Sequence, residues 1–172
     1  MDRDVETLLQ TPYFAVVREA GYFMIHERAR ENGVIIVAER DDGRFLLAHL
    51  QRRAIGGSSQ EFPRGAIDAG ETAVEAAVRE LLEETGYRSR EVCLIGRVHS
   101  NTSLLSSHVA VAHIRVDSQA SASTDTDGEV DSMEWLSLDE LDERIAEGLI
   151  TDGHTLSALT LFGAARRKAS LG

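Results

Sequence analysis

The sequence predicts an α/β fold, a mixed sheet held between helical layers and preceded by an N-terminal β-hairpin extension. Three observations predict it. Residues 73–85 form a helix bounded at both ends. Strand-like apolar runs stand on both sides of that helix. Two further helical segments close the chain, one ending near residue 147 and one at about 154–169. Strands before and after a central helix bury their apolar faces when helices cover the sheet.

The start, MDRDVETLLQ, is expected to be a short helical or frayed segment. PYFAVVREAGYFMIHERAR reads as two strands, at about 13–18 and 22–28, joined through Ala20-Gly21. GVIIVAE and RFLLAHL flank Asp41-Asp42-Gly43, a turn signal, and read as a second hairpin. The run VIIV lacks alternation, as expected of a strand buried on both faces. QRRAIGGSSQEFPRG is polar and glycine-rich, and is expected to be a loop at the mouth of a site.

The central helix is argued locally. Thr72 followed by Glu75 is a capping box, in which hydroxyl and carboxylate satisfy free amides at the helix start. Good helix formers then run without proline or glycine to Gly86, which supplies a left-handed stop. Val74, Ala77, Val78 and Leu81 make an apolar stripe expected to face the core. Glu80, Glu83 and Glu84, at spacing i, i+3, i+4, are expected to share one patch, with Ala73 and Ala76 leaving room over it. Like charges at that spacing repel. Arg79 stands four residues from Glu75 and from Glu83 and neutralises part of the charge. A hard divalent cation with oxygen ligands would balance the rest.

Beyond the helix, EVCLIGRVHS and SLLSSHVAVAHIRV read as strands. Cys93, in the apolar segment VCLIG, is expected to be buried. DSQASASTDTDG is expected to be a loop, and EVDSMEWLSL returns to strand. Ser137 with Glu140 is another capping box, opening a helix that Gly148 closes. In the last helix Leu156, Leu159 and Phe162 are expected inward, with Arg166, Arg167 and Lys168 at its negative end.

A solvated acidic face would account for the helix but not for the glycine-rich approach to it. Gly65, Glu71, Arg79, Glu80, Leu81, Glu83, Glu84 and Gly86 stand at the fixed spacing of G-x5-E-x7-R-E-U-x-E-E-x-G-U, which resembles the Nudix box. Tyr87 stands where an aliphatic residue is usual. The resemblance implies a Nudix-type α/β/α sandwich and a hydrolase that cleaves a phosphoanhydride with Mg²⁺ or Mn²⁺. It implies Glu80, Glu83 and Glu84 as metal ligands, joined by the backbone carbonyl of Gly65 or Ala66, with Glu83 and Glu84 also in the catalytic group. Arg79 and Glu71 would orient them.

EFPRG and QRRAIGG are similar to the E-[FL]-P-x-G and Q-x-R-x-x-x-G segments of the ADP-ribose and ADP-sugar branch, as is the closing Ile150, Asp152, Thr155, Ala158, Leu159 to I-x-D-x-x-T-x-x-A-L. That comparison implies Arg53, Arg64 and Glu61 on the substrate, an ADP-sugar or related nucleoside diphosphate. It also implies Glu129 as a further catalytic carboxylate from the loop before the last strand, with Glu134 as the alternative. The proline of an S-P-G setting, frequent in ADP-ribose enzymes, is replaced here by HSNTSLLSSH, which leaves other ADP-linked diphosphates open. In this branch the leading hairpin, about residues 1–30, often joins two subunits, so a homodimer is expected. Two alternatives are an isopentenyl diphosphate isomerase-like enzyme, which needs a cysteine beside its substrate, and a non-catalytic ligand-sensing module.

Composition bounds these readings. The length of 172 residues suits one domain, 1–172, and 42% hydrophobic with 27% charged residues is ordinary for a globular chain. A net charge of −11 opposes broad nucleic-acid binding. No apolar run reaches membrane-span length and the start is unlike a secretory signal, so a cytoplasmic protein is expected. One cysteine excludes an internal disulfide and a multi-cysteine zinc site. Asp125, Asp127, Gly128, Val130 and Glu134 fit a calcium loop only loosely, because Ser123 takes its leading aspartate place and a strand precedes it.

Overall fold

In the computed structural model, which describes residues 5–117 and 130–171, the chain forms two sheets. The first is antiparallel, in the order β1 (Val5–Gln10), β2 (Phe14–Glu19), β3 (Tyr22–Glu27). The predicted hairpin is its second half. Ala20 and Gly21 both take positive φ, 50° and 86°, which gives the two-residue turn whose twist matches its strands. The expected helical or frayed start is corrected. Val5–Gln10 is a strand, because the free edge of β2 offers it a ladder of backbone partners.

The second sheet is mixed. Its strands are β4 (Glu31–Glu39), β5 (Phe45–Arg52), β6 (Gly57–Glu61), β7 (Arg64–Ala66), β8 (Ser89–Val98), β9 (His108–Val116) and β10 (Val130–Leu136). The order is β10-β5-β4-β9-β8, with β4 and β9 parallel. The polar stretch expected to be only a loop supplies β6 and β7. The β4–β5 hairpin pairs only at Glu39 and Phe45 and then splays. The returning chain fills the wedge, β6 on β5 and β7 on β4, so that both inner edges are hydrogen-bonded. Low strand propensity hid these elements, and pairing overrode it. Residues 103–107, read as strand, instead form turns and bends that hydrogen-bond the N-terminal sheet, Ile25 N–H to the Leu104 carbonyl at 2.7 Å.

Helices cover both faces. Val34, Ile36, Ala38, Leu46, Ala110 and Ala112 pack under α1 (Ala73–Thr85). Ile35, Val37, Phe45, Leu47 and Val111 pack under α2 (Leu138–Ala146) and α3 (Gly153–Ala169). Burying each large side chain contributes about 1.5–3 kcal/mol. Alternation in β4 thus feeds two cores, which is why its sequence is continuously apolar. The capping boxes at Thr72 and Ser137 form as expected. Phe162 is buried, with Leu156 and Leu159 packed on the same core.

Two burial expectations are corrected. Cys93 is exposed, because β8 is the edge strand of the sheet. The buried face of α1 is Ala73, Ala76, Ala77, Leu81 and Thr85, whereas Val74 is 37% exposed. The alanines lie beneath the helix rather than under open space, and let it sit close on the sheet. No described helix is long and apolar enough to cross a membrane.

Candidate active site

The rotation of α1 decides the site. With Ala73, Ala76 and Ala77 against the sheet, helical periodicity carries Glu80 onto the sheet side one turn later. There its carboxylate lies over Gly65 of β7. A Cβ on Gly65 would meet the Glu80 carboxyl carbon at 1.9 Å and both its oxygens at 2.2 Å. Glycine is required here by close approach, which is the physical content of the spacing between Gly65 and Glu80. Gly33 shows the same crowding across β4, where a Cβ would meet the Gly65 carbonyl oxygen at 3.0 Å.

Arg79 gathers the loop and helix. Its guanidinium donates to both Glu71 oxygens, at 2.9 and 2.8 Å, to Glu80 at 2.8 Å, to Glu83 at 3.1 Å and to the Ala66 carbonyl at 2.9 Å. Glu71 also accepts from the Asp68 amide at 3.1 Å. Hydrogen bonds from Arg79 hold the Glu71 carboxyl below the usual carboxylate range. Glu80 goes the other way, raised first by burial, with Glu83 and Glu71 adding to the shift and Arg79 opposing it. Here sequence and structure meet: Glu71, Arg79, Glu80, Glu83, Gly65 and Ala66 are brought together. Glu84 follows one turn after Glu80, half-buried. The side chain of Glu83 is 51% exposed, so the three carboxylates do not share one closed patch.

Among the described residues no three Asp, Glu, His or Cys side chains converge tightly enough to mark a preformed metal cluster. The donor set nevertheless fits a hard cation. Glu83 and Glu84 occupy the last turn of α1, where the helix dipole disfavours anions and no basic residue stands. Glu80 beside them is desolvated and raised by its neighbours. A divalent ion with oxygen ligands relieves both strains.

The residues expected on substrate are placed differently from one another. Glu61 is 2% exposed and is clasped by Arg52, at 3.0 and 2.7 Å, and by Arg64 at 3.0 Å. Glu61 therefore positions two arginines and is too enclosed to serve as a surface contact. Arg53 is exposed in the turn between β5 and β6. Sequence reasoning missed Arg52. The signal was strand parity: Ala48 faces Glu61 across the ladder and Arg52 shares Ala48's side, whereas Arg53 does not.

Arg64 turns toward the start of α3. Its guanidinium donates to His154 Nδ1 at 2.5 Å and to Asp152 at 3.4 Å. His154 Nε2 lies 2.5 Å from Ser100 Oγ. Burial, then Arg64, lowers the His154 pKa, which favours the neutral ring. These residues line a hollow of about 420 Å³ with His99, Gly153 and Ser157. No spacing in the sequence distinguishes His154 or Ser100.

Glu129 lies outside the described residues. Glu134, its alternative, is held by Arg144 at 2.6 and 2.9 Å and by His49 at 2.5 Å.

Comparison with known proteins gives the family and the fold. The family model described as NUDIX domain matches residues 29–157, beginning just after β3. The chain is 48% identical over 67 residues to the RNA pyrophosphohydrolase of Halorhodospira halophila, covering 39% of this chain and 34% of that protein. It is 32% identical over 88 residues to the ADP-ribose pyrophosphatase of Saccharomyces cerevisiae, covering 49% and 38%. The chain thus spans little more than a third of the length of these two relatives. The fold superposes on the crystal structure of an ADP compounds hydrolase with a TM-score of 0.78 at 22% identity, over 96% of this chain and 93% of that one.

Proposed function

The chain belongs to the NUDIX family, and on that premise we propose that it is a divalent-metal-dependent pyrophosphohydrolase. Its substrate is a nucleoside diphosphate linked to a second group, foremost ADP-ribose or a related ADP-sugar, which water splits into AMP and a sugar phosphate. The observation that carries this reading is the seating of Glu80 on Gly65 under Arg79. It sets a desolvated carboxylate, a backbone carbonyl strand and the α1 acids side by side.

Glu80, Glu83 and Glu84, with the carbonyl of Gly65 or Ala66, would hold Mg²⁺ or Mn²⁺. A cation bound there screens phosphate oxygens and lowers the pKa of an attacking water. Arg79 fixes the loop to the helix by spanning Glu71, Ala66, Glu80 and Glu83, so the donors keep their spacing when a substrate arrives. Glu129 is the candidate base, and Arg53 and Arg64 the candidate substrate contacts.

The ADP-linked substrate is supported by the yeast relative and by the EFPRG entry. The Halorhodospira relative favours a second reading, removal of pyrophosphate from an RNA 5′ end. The net charge of −11 opposes an extended phosphate-backbone interface and ranks that reading second. An isomerase-like role is disfavoured by Cys93, which lies five residues along β8 from Val98 at the site end, about 16 Å of strand.

A homodimer built on the N-terminal sheet fits the exposure of Leu8, Leu9, Tyr22 and Phe23. Solution scattering that returned a monomer mass would remove it. The function is tested by incubating the protein with Mg²⁺ or Mn²⁺ and a panel of ADP-sugars, dinucleotides and a 5′-triphosphorylated oligonucleotide. Released phosphate groups are then read through a phosphatase. Turnover of ADP-sugars above the rest is expected, and silence across the panel would leave the ligand-sensing alternative.

A further inference from the structure

The hollow at the start of α3 is not accounted for by the box. It opens at the same end of the sheet as the candidate active site. Gly33 pairs with Ala66 and Val109, and Val109 with Val98, so β4, β7, β9 and β8 reach that end together. The box loop leaves from β7 there, and His99 and Ser100 leave from β8. Glu80 and the hollow thus lie at one end of the sheet on either side of β7, where the adjacent residues Gly65 and Arg64 face them in turn.

Its charge is balanced before any ligand enters. The cations Arg52 and Arg64 face the anions Glu61 and Asp152, joined at 2.7–3.4 Å. Every Arg64 contact named above is to an acceptor of this chain, and Asp152 further accepts from the Thr155 amide and hydroxyl at 2.9 and 2.8 Å. Glu27 adds negative potential near His154. A phosphate dianion entering the hollow would meet the Asp152 carboxylate, with Glu61 and Glu27 nearby, and would have to compete for Arg64 with the acceptors already on it, whereas a neutral hydroxyl-bearing group would not.

The hydrogen-bond directions point the same way. A guanidinium only donates, so His154 Nδ1 must accept from Arg64, which puts the ring proton on Nε2. Nε2–H then donates to Ser100 Oγ, and the Ser100 hydroxyl proton is left to donate onward. A volume of about 420 Å³ is within the range of small-molecule sites.

We propose that this hollow receives the neutral, hydroxyl-bearing ring of the group linked to the nucleoside diphosphate, with Ser100 donating to it and His154 positioning Ser100. The proposal rests on the pyrophosphohydrolase reading and names what that reading leaves open, the half of the substrate that sets specificity.

The test compares kcat/KM for ADP-ribose with that for the methyl ester of ADP, which shares the nucleotide half and lacks the ring. Ser100→Ala and His154→Ala should each lower the ratio of the two about tenfold, the effect of one lost hydrogen bond of ordinary strength. Ser100→Thr, which keeps the hydroxyl, should hold the ratio near that of the wild type. Ser100 is exposed, so its variants keep the fold, which thermal unfolding verifies. A ratio unchanged within about twofold in Ser100→Ala overturns the proposal. Should the wild-type protein turn over neither compound, the hydrolase reading falls, and calorimetric Kd values for the same two compounds decide the hollow. Weaker ADP-ribose binding in Ser100→Ala, relative to the methyl ester, supports it, and an unchanged ratio of Kd values overturns it.

Discussion

Gly65→Ala is the substitution that most directly interrogates the site. The new Cβ would fall 1.9 Å from the Glu80 carboxyl carbon, against the 3.4 Å at which ordinary contact begins, so the carboxylate must withdraw by roughly 1.5 Å. It is the far end of a flexible side chain, so the fold survives. The withdrawal breaks the 2.8 Å bond from Arg79, a charge-assisted interaction that contributes about 1.5–3 kcal/mol. For a chain of this size Tm should fall by roughly 3–12 °C. A displacement near 1 Å at a reacting centre costs about 10²-fold in rate, so turnover of ADP-ribose should drop by that order. Thermal unfolding and a phosphatase-coupled assay read the two effects. Gly57→Ala is the control, since its Cβ meets nothing within 4 Å, and it should stay within about 0.5 kcal/mol of wild type. A Gly65→Ala protein with unaltered Tm and turnover within a few-fold of wild type would refute the placement of Glu80 against Gly65.

Three other outcomes are expected. Arg79→Lys removes the paired donation to Glu71 and should lower kcat about 10²-fold. Because Arg79 depresses the Glu71 pKa, its contribution to stability is complete above the usual carboxylate range and is lost as pH falls below it. The acid limb of a Tm-against-pH curve should therefore flatten in Arg79→Lys, and an unchanged limb counts against the pairing. Glu84→Gln should abolish most turnover and weaken the Mg²⁺-induced rise in Tm, while a chelator should stop the wild-type reaction; full activity in Glu84→Gln removes Glu84 from the ligand set. Cys93 is exposed, so a thiol reagent should titrate one thiol per native chain without denaturant. Reaction only after unfolding would contradict the edge position of β8.

Some of this protein could be read from short-range pattern. The capping boxes at Thr72 and Ser137, the Gly86 stop, the turn at Ala20-Gly21 and the doubly apolar β4 each depend on residues within a few positions of one another. Those features are set by backbone conformation and helical period, which act locally. The spacing of Gly65, Glu71, Arg79 and Glu80 is visible in the sequence too, but it is the packing of α1 on β7 that brings the four together.

What only the tertiary structure decided depends on partners distant in sequence. The residues of β6 and β7 have little strand propensity and became strands because the splayed β4–β5 hairpin left two edges unpaired. The buried face of α1 turned from Val74 toward Ala73 and Ala76 because the alanines allow the helix to approach β7, and that turn is what desolvates Glu80. The Arg52–Glu61 pair, and Ser100 beside His154, follow from ladder register and from where α3 begins. Local sequence states which residues are able to form a site, but register and close packing between elements far apart in the chain choose which of them meet.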